Sequence, residues 1–283
     1  MALDLPRPIV SPEWLAEHIL DAGLVIADVH WLPGEPPGAV REAFERGHIP
    51  GAVSFDIDTD LAAPPSGGGG RHPLPSSEAF AATMAAAGIG EETNVVVYDD
   101  VRGSHAARLW WMLDATGHRV ALLDGGSQAW SGSLETGPAR HREPAAFSVG
   151  RWPDVGPDDV AAAIRDGAGP VLDARAADRY RGEVEPFDRV AGHVPGAVSA
   201  PWADNLDPAT GRFLPSGRLR ERYAALGVTE GSRTIAYCGS GVTASHDLVA
   251  MRIGGLGAGR LFAGSWSGWI EDVSRPVATG PEP

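Results

Sequence analysis

Gly47-His-Ile-Pro-Gly-Ala-Val-Ser54 returns later in the chain, with one residue changed, as Gly192-His-Val-Pro-Gly-Ala-Val-Ser199. Working outward, each copy follows an apolar run that ends in aspartate, Leu24-Val-Ile-Ala-Asp28 and Pro170-Val-Leu-Asp173. Each of these aspartates stands 20 residues before its histidine. Downstream, Gly88-Ile89 before Val95-Val-Val-Tyr98 is answered by Gly227-Val228 before Thr234-Ile-Ala-Tyr237, and Leu122 to Trp130 by Leu261 to Trp269. The offset is 145 residues for the early blocks and 139 for the late ones, so the first half carries a net insertion of six. The chain is a tandem repeat. Within each half, short apolar strands alternate with helical spacing, for example strands at 24–28, 94–98 and 120–123 and helices near 76–87 and 104–116. Alternation of this kind predicts βαβ units: an α/β protein whose halves are each a mainly parallel sheet with helices on both faces. The stretch from Ser131 to Asp154, rich in Gly, Pro, Arg and Glu and without periodicity, reads as a linker. The expected organisation is an N-terminal domain over 1–132, a linker over 133–154 and a C-terminal domain over 155–283.

The only cysteine, Cys238, lies in Tyr237-Cys-Gly-Ser-Gly-Val-Thr-Ala-Ser-His246. Thr234 to Tyr237 reads as a short buried strand, and from Thr243 onward Ala244, Leu248, Val249, Met251 and Ile253 have helical spacing. Between them, Gly239 and Gly241 permit backbone angles that other residues avoid. A strand, a glycine-bearing loop and a helix start gather N–H groups at the positive end of a helix dipole. A thiol placed there is expected to ionise easily and act as a nucleophile. At the matching position of the first half stands Asp99, so only the C-terminal copy is equipped for thiol chemistry.

The 283 residues carry a formal net charge of −14, which argues against a nucleic-acid binder and against an anionic membrane surface. Every cationic side chain other than histidine is arginine, so lysine Schiff-base chemistry is excluded. A lone cysteine forms no internal disulfide, the N-terminus lacks a secretory pattern, and no apolar stretch approaches membrane-spanning length. A cytoplasmic protein is expected. His48 and His193, matched in both halves including the one without a nucleophile, read as turn residues with a structural role. No Cys/His/Asp cluster has metal-ligand spacing. Gly67 to Gly70 lacks the ending of a phosphate-binding loop and reads as a mobile flap. The nine tryptophans, Trp110 and Trp111 among them, read as packing residues, with Trp31 and Trp202 as candidates for lining a cleft.

The tandem domains, the Gly-His-Ile/Val-Pro-Gly-Ala motif in each, and Cys238-Gly-Ser-Gly-Val-Thr-Ala244 together resemble the two-domain rhodanese-type sulfurtransferases. The likeness runs from about Ser11 to Trp269 and implies two tandem rhodanese-like domains, the first inactive and the second carrying the catalytic cysteine. In that family the thiosulfate branch places Arg and Lys after the cysteine, and the 3-mercaptopyruvate branch places Gly and Ser or Thr. Gly239 and Ser240 are similar to the latter. The difference has a physical basis, because thiosulfate releases a dianion that cations stabilise, whereas mercaptopyruvate leaves as an enolate that needs a proton. The resemblance assigns Ser240, His72 and Asp58 to a proton relay, with Asp56 as the competing acid. It assigns the loop Gly239, Gly241, Val242 and Thr243 to holding a persulfide.

The same likeness makes Arg179 the first carboxylate-binding arginine. The second is expected directly after Glu-Pro, but here the run is Glu185-Pro-Phe-Asp-Arg189, which leaves Arg189 two places along as the candidate. Arg175 is expected to pair with a nearby acid such as Glu185, and Arg181 is given no role. The implied reaction moves sulfane sulfur from 3-mercaptopyruvate through a Cys238 persulfide to thioredoxin, a low-molecular-weight thiol or cyanide, without metal or organic cofactor. The alternatives are a thiosulfate sulfurtransferase, a non-enzymatic persulfide carrier, and a Cys-x5-Arg phosphatase. The last would need arginine where Ala244 stands.

Overall fold

The computed structural model describes residues 3–65 and 67–283 and divides them into two compact units. Of the described residues, the first comprises 3–63 and 75–152, and the second 64–65, 67–74 and 153–283. In the first unit, β1 (Ile9–Val10), β2 (Leu24–His30), β3 (Val53–Asp56), β4 (Asn94–Tyr98) and β5 (Val120–Leu123) form one parallel sheet in the order β1-β5-β4-β2-β3. Its helices are α1 (Pro12–His18), α2 (Ala39–Arg46), α3 (Ser77–Ala86) and α4 (Ala106–Asp114). Every residue of β2 and β4 is buried, as a parallel strand covered on both faces requires. Two of the helices start where serine supplies a cap. Ser11 Oγ accepts the Trp14 N–H at 3.2 Å, and Ser76 Oγ accepts that of Ala79 at 3.1 Å.

The second unit repeats the plan with four parallel strands. These are β6 (Val171–Asp173), β7 (Val198–Ser199), β8 (Ile235–Tyr237) and β9 (Arg260–Leu261), in the order β7-β6-β8-β9. Its helices are α5 (Pro157–Arg165), α6 (Ala177–Tyr180), α7 (Ser216–Ala225), α8 (Ala244–Ile253) and α9 (Ser265–Trp269). The α/β class read from the sequence is the observed one.

The repeated octapeptide has a shared physical purpose. In the first unit Tyr98 Oη donates to Asp28 Oδ2 at 2.8 Å and accepts the Ile49 N–H at 3.0 Å. In the second, Tyr237 Oη accepts the Val194 N–H at 3.1 Å and is hydrogen-bonded to Asp173. Asp28 and Asp173 thereby each tie a central tyrosine to the Gly-His-x-Pro turn. The turn histidines also match. His48 stacks on Phe44 at 3.7 Å with Nδ1 2.9 Å from Phe44 O, and His193 stacks on Tyr180 at 3.8 Å with Nδ1 2.8 Å from Tyr180 O. Both are structural.

The units differ from the sequence-based boundaries in two places. Residues 133–152, most of the expected linker, pack along the first unit: Glu135 N donates to His48 O at 2.8 Å, and Trp152 Nε1 to Pro75 O at 2.7 Å. Residues 64–74, expected within the first domain, belong to the second unit. The Gly67–Gly70 stretch, expected as a flap, is fastened there. Gly68 N and Gly70 N both donate to the Glu271 carboxylate, and Arg71 N donates to Ser267 Oγ at 3.0 Å. Gly70 adopts φ +73°, and a Cβ on it would lie 2.4 Å from Gly264 O, so no other residue fits. Among the described residues no helix is long and apolar enough to cross a membrane, and no group of three or more His, Cys, Asp or Glu is arranged to hold a metal ion.

Candidate active site

β8 delivers the chain into the cysteine loop at the end of a buried strand, and α8 begins immediately beyond it. Cys238 is 2% exposed. Its Sγ accepts the Gly241 N–H at 3.2 Å, and Gly241 reaches that position with φ +75°. The loop is stitched to the start of α9, where Trp266 N donates to Cys238 O at 2.9 Å and Ser267 N to Gly239 O at 3.0 Å. Cys238 N donates to Ser265 Oγ at 3.0 Å, and the same hydroxyl lies 3.9 Å from Sγ. Ser265 holds φ +53°, a left-handed value that costs a non-glycine residue roughly 1 kcal/mol or more.

Of the two loop glycines, only Gly241 uses a left-handed angle. Gly239 is needed for a different reason. A Cβ there would stand 2.9 Å from Arg71 Nη2, 3.4 Å from Arg179 Nη2 and 3.5 Å from Arg179 Nη1. Val242 is buried, and Val242 O and Thr243 O accept the Ser245 and His246 N–H groups at 3.1 Å each, which opens α8.

Ser240 and His72 meet: Oγ and Nδ1 are hydrogen-bonded at 2.8 Å, both residues being buried. The fastening of 68–71 by Glu271 and Ser267 holds His72 in place, so two positioning residues emerge that sequence reading missed. Neither has a local signal, because each acts on a segment about 200 residues away.

The remaining assigned residues divide. Arg179 reaches the loop, as the contacts around Gly239 show, and its Nη2 pairs with Glu185 Oε1 at 2.6 Å. Arg189 instead gives Nη2 to the backbone carbonyl of Ile270, and Phe187 occupies the place directly after Glu-Pro. Arg175 is buried and structural, bound to Asp173 Oδ1 at 3.0 Å and to Glu185 Oε2 at 3.2 Å. Burial alone would lower its pKa, but Asp173 and Glu185 outweigh burial and push it up. Trp202 packs edge-on against His246 with ring centroids 5.1 Å apart.

Asp58 belongs to the first unit, in the turn after β3. Partial burial pushes its carboxyl pKa up, against a lowering hydrogen bond from the Trp31 side chain. Asp56, the competing acid, is committed locally, its Oδ1 accepting the Asp58 N–H at 2.9 Å.

A buried free thiol under a backbone N–H, beside a Ser–His pair, on a strand–loop–helix turn of a duplicated α/β domain defines a narrow class. The Rhodanese-like domain family matches residues 11–133 and 156–272. The chain belongs to the rhodanese family. It is 43% identical to the "Probable 3-mercaptopyruvate sulfurtransferase" of Pseudomonas aeruginosa, over 96% of this chain and 98% of the relative. It is 42% identical to SseB of Mycobacterium tuberculosis, a relative provisionally named as a thiosulfate sulfurtransferase, over 90% of both. Among solved structures, the 3-mercaptopyruvate sulfurtransferase SseA of Escherichia coli superposes with a TM-score of 0.79 at 33% identity, covering 93% of this chain and 100% of SseA. In rhodanese terms, the second unit holds the cysteine loop and the first holds its acidic counterpart.

Proposed function

We propose that this protein is a sulfurtransferase that takes sulfur from 3-mercaptopyruvate onto Cys238 and passes it to a thiol. The observation that carries this reading is the Ser240–His72 pair, joined at 2.8 Å and set two residues beyond the cysteine. In the first step the Cys238 thiolate attacks the donor sulfur. A sulfur–sulfur bond forms, the carbon–sulfur bond breaks, and its electron pair leaves on the three-carbon fragment as pyruvate enolate. Ser240 gives its hydroxyl proton to that fragment, yielding pyruvate, and takes a proton in turn from His72 Nδ1. The persulfide left on Cys238 is held by loop N–H groups such as that of Gly241. In the second step an acceptor thiolate attacks the outer sulfur and restores the Cys238 thiolate. Thioredoxin or a low-molecular-weight thiol serves in the cell, and cyanide in the test tube. The relay role of Asp58 stays an implication of family resemblance. No cationic residue follows Cys238 in the loop, and this supports mercaptopyruvate over thiosulfate.

The second reading, thiosulfate as donor, draws on Arg71 and Arg179, which bring positive charge over Gly239, and on the name of the mycobacterial relative. The deciding experiment is kcat/KM for transfer to cyanide with both donors, using Cys238→Ala as blank. A preference for mercaptopyruvate of about 100-fold, equal to about 2.7 kcal/mol, is expected. A preference for thiosulfate overturns the donor assignment.

A further inference from the structure

The second substrate arginine, absent from its expected place after Glu-Pro, has a physical replacement in the loop that carries His72. We infer that Arg71 and Arg179 together bind the donor carboxylate, with Phe187 as the platform beneath them. This rests on the mercaptopyruvate reading above and names a residue that the family pattern did not supply.

Three observations converge on Arg71. Its Nη2 lies 2.9 Å from the point where a Gly239 Cβ would stand, and both terminal nitrogens of Arg179 lie within 3.5 Å of the same point. Two guanidinium groups therefore approach the backbone next to the nucleophile, separated from the thiol by one residue step. The three-carbon skeleton of mercaptopyruvate likewise keeps its carboxylate close to its sulfur.

Both arginines are also oriented from behind. Arg71 Nη1 is paired with Asp188 Oδ1, while Arg179 Nη2 is held by Glu185 Oε1 at 2.6 Å and lies 3.6 Å from Asp188 Oδ2. Glu185 and Asp188 are almost fully buried, whereas the Arg71 and Arg179 side chains keep 27% and 16% exposure. The acids fix the planes of the forks and leave Arg71 Nη2 and Arg179 Nη1 on the Gly239 side. Fork geometry of this kind suits the two oxygens of a carboxylate better than a point charge does.

Finally, the residue standing where the family arginine is expected has become a support. The Phe187 ring lies under both cations, 5.5 Å from Arg71 Cζ and 5.2 Å from Arg179 Cζ. Moving the cation from the Glu-Pro turn to the His72 loop ties carboxylate binding to the segment that also positions the proton relay.

The test compares wild type, Arg71→Met and Arg71→Lys with two donors, 3-mercaptopyruvate and the carboxylate-free thiol ketone 1-mercaptopropan-2-one. For Arg71→Met, KM for mercaptopyruvate is expected to rise by about thirtyfold, equal to about 2 kcal/mol. Its kcat should change by less than about threefold, and the selectivity for mercaptopyruvate over the ketone should collapse by about the KM factor. Arg71→Lys, which keeps the charge but loses the fork, should recover part of it. An unchanged KM, or an equal loss with both donors, overturns the assignment, the latter showing that Arg71 merely builds the loop around His72. The donor reading fails separately, and visibly in wild type, if that enzyme turns over thiosulfate but not mercaptopyruvate.

Discussion

Asp99 and Cys238 leave matching strands at matching places, 139 residues apart, and each begins the loop that leads into a buried helix, α4 in one unit and α8 in the other. In the first loop the carboxylate is fully buried and accepts four backbone N–H groups: Val101 at 2.9 Å, Gly103 and His105 at 2.7 Å, and Ala106 at 2.8 Å. In the second, the sulfur accepts Gly241 N–H at 3.2 Å. The contrast teaches what the turn is for. It gathers N–H groups: a built-in carboxylate occupies four of them in the first unit, whereas in the second the Cys238 sulfur accepts that of Gly241. A second contrast sits beside it. The left-handed residue opposite each loop is Gly126 at φ +64° in the first unit and Ser265 at φ +53° in the second, where the hydroxyl is used on Cys238. The strained residue accompanies the nucleophile.

The comparison breaks most easily at the cysteine itself. Cys238→Ser should lower thiocyanate formation by more than about a thousandfold. The graft Asp99→Cys in that background should not restore turnover, because Val101 stands in the first loop where Ser240 stands in the second; recovered activity would end the distinction between the copies.

Next in size is a pH effect carried by Asp247, whose counterpart in α4 is Arg108. Burial pushes the Asp247 pKa from 3.8 up to about 7, with Arg222 and the Asn205 hydrogen bond opposing it. The folded state therefore keeps a proton that the unfolded chain releases. The resulting stability is fully present below about pH 4 and is lost as pH rises to about 7. Urea unfolding across this range should show a loss on the order of 4 kcal/mol that Asp247→Asn flattens. An equal slope in the variant would remove Asp247 as its source.

Asp99→Ala leaves four backbone N–H groups, two of them fully buried, without their acceptor and should destabilise by roughly 3 kcal/mol. A loss below about 0.5 kcal/mol would mean that the first loop does not depend on its anion.

Ser240→Ala should reduce kcat with mercaptopyruvate by about 100-fold and should affect thiosulfate, which needs no proton on departure, far less. Equal losses with both donors would argue against the relay. Smallest is Ser265→Gly, which copies the first unit. Stability should rise by about 1 kcal/mol while transfer slows several-fold, and unchanged transfer would reduce Ser265 to a turn residue.

Much of this was legible in the residues. The repeated Gly-His-x-Pro-Gly-Ala turn, the apolar strands ending at Asp28 and Asp173, and the single cysteine after Tyr237 announced two α/β copies and one nucleophile, because strand burial and turn chemistry are local properties. Ser240 with His72 followed from resemblance, and the second unit joins them. What stayed hidden depends on distant contacts. Glu271 and Ser267 draw residues 64–74 into the second unit across about 200 positions, and nothing near Gly70 or His72 signals it. Arg71 had one available cue, a cation beside the assigned histidine, but its approach to Gly239 depends on that same fastening. Whether Arg189 reaches the cysteine loop is open in the sequence, because its position two places along says nothing of its direction; its guanidinium turns to Ile270 O. Gly239 misled, since its lack of a side chain serves the arginines rather than a backbone angle.

The proposed mechanism loads sulfur onto the open loop and not onto its carboxylate-filled twin. Intact-protein mass after brief exposure to 3-mercaptopyruvate and removal of small molecules tests it directly, with peptide mapping to locate the change. The expected result is a gain of one sulfur atom on the peptide containing Cys238, discharged by cyanide and absent from Cys238→Ser. No gain, or a gain that persists in Cys238→Ser, would contradict it.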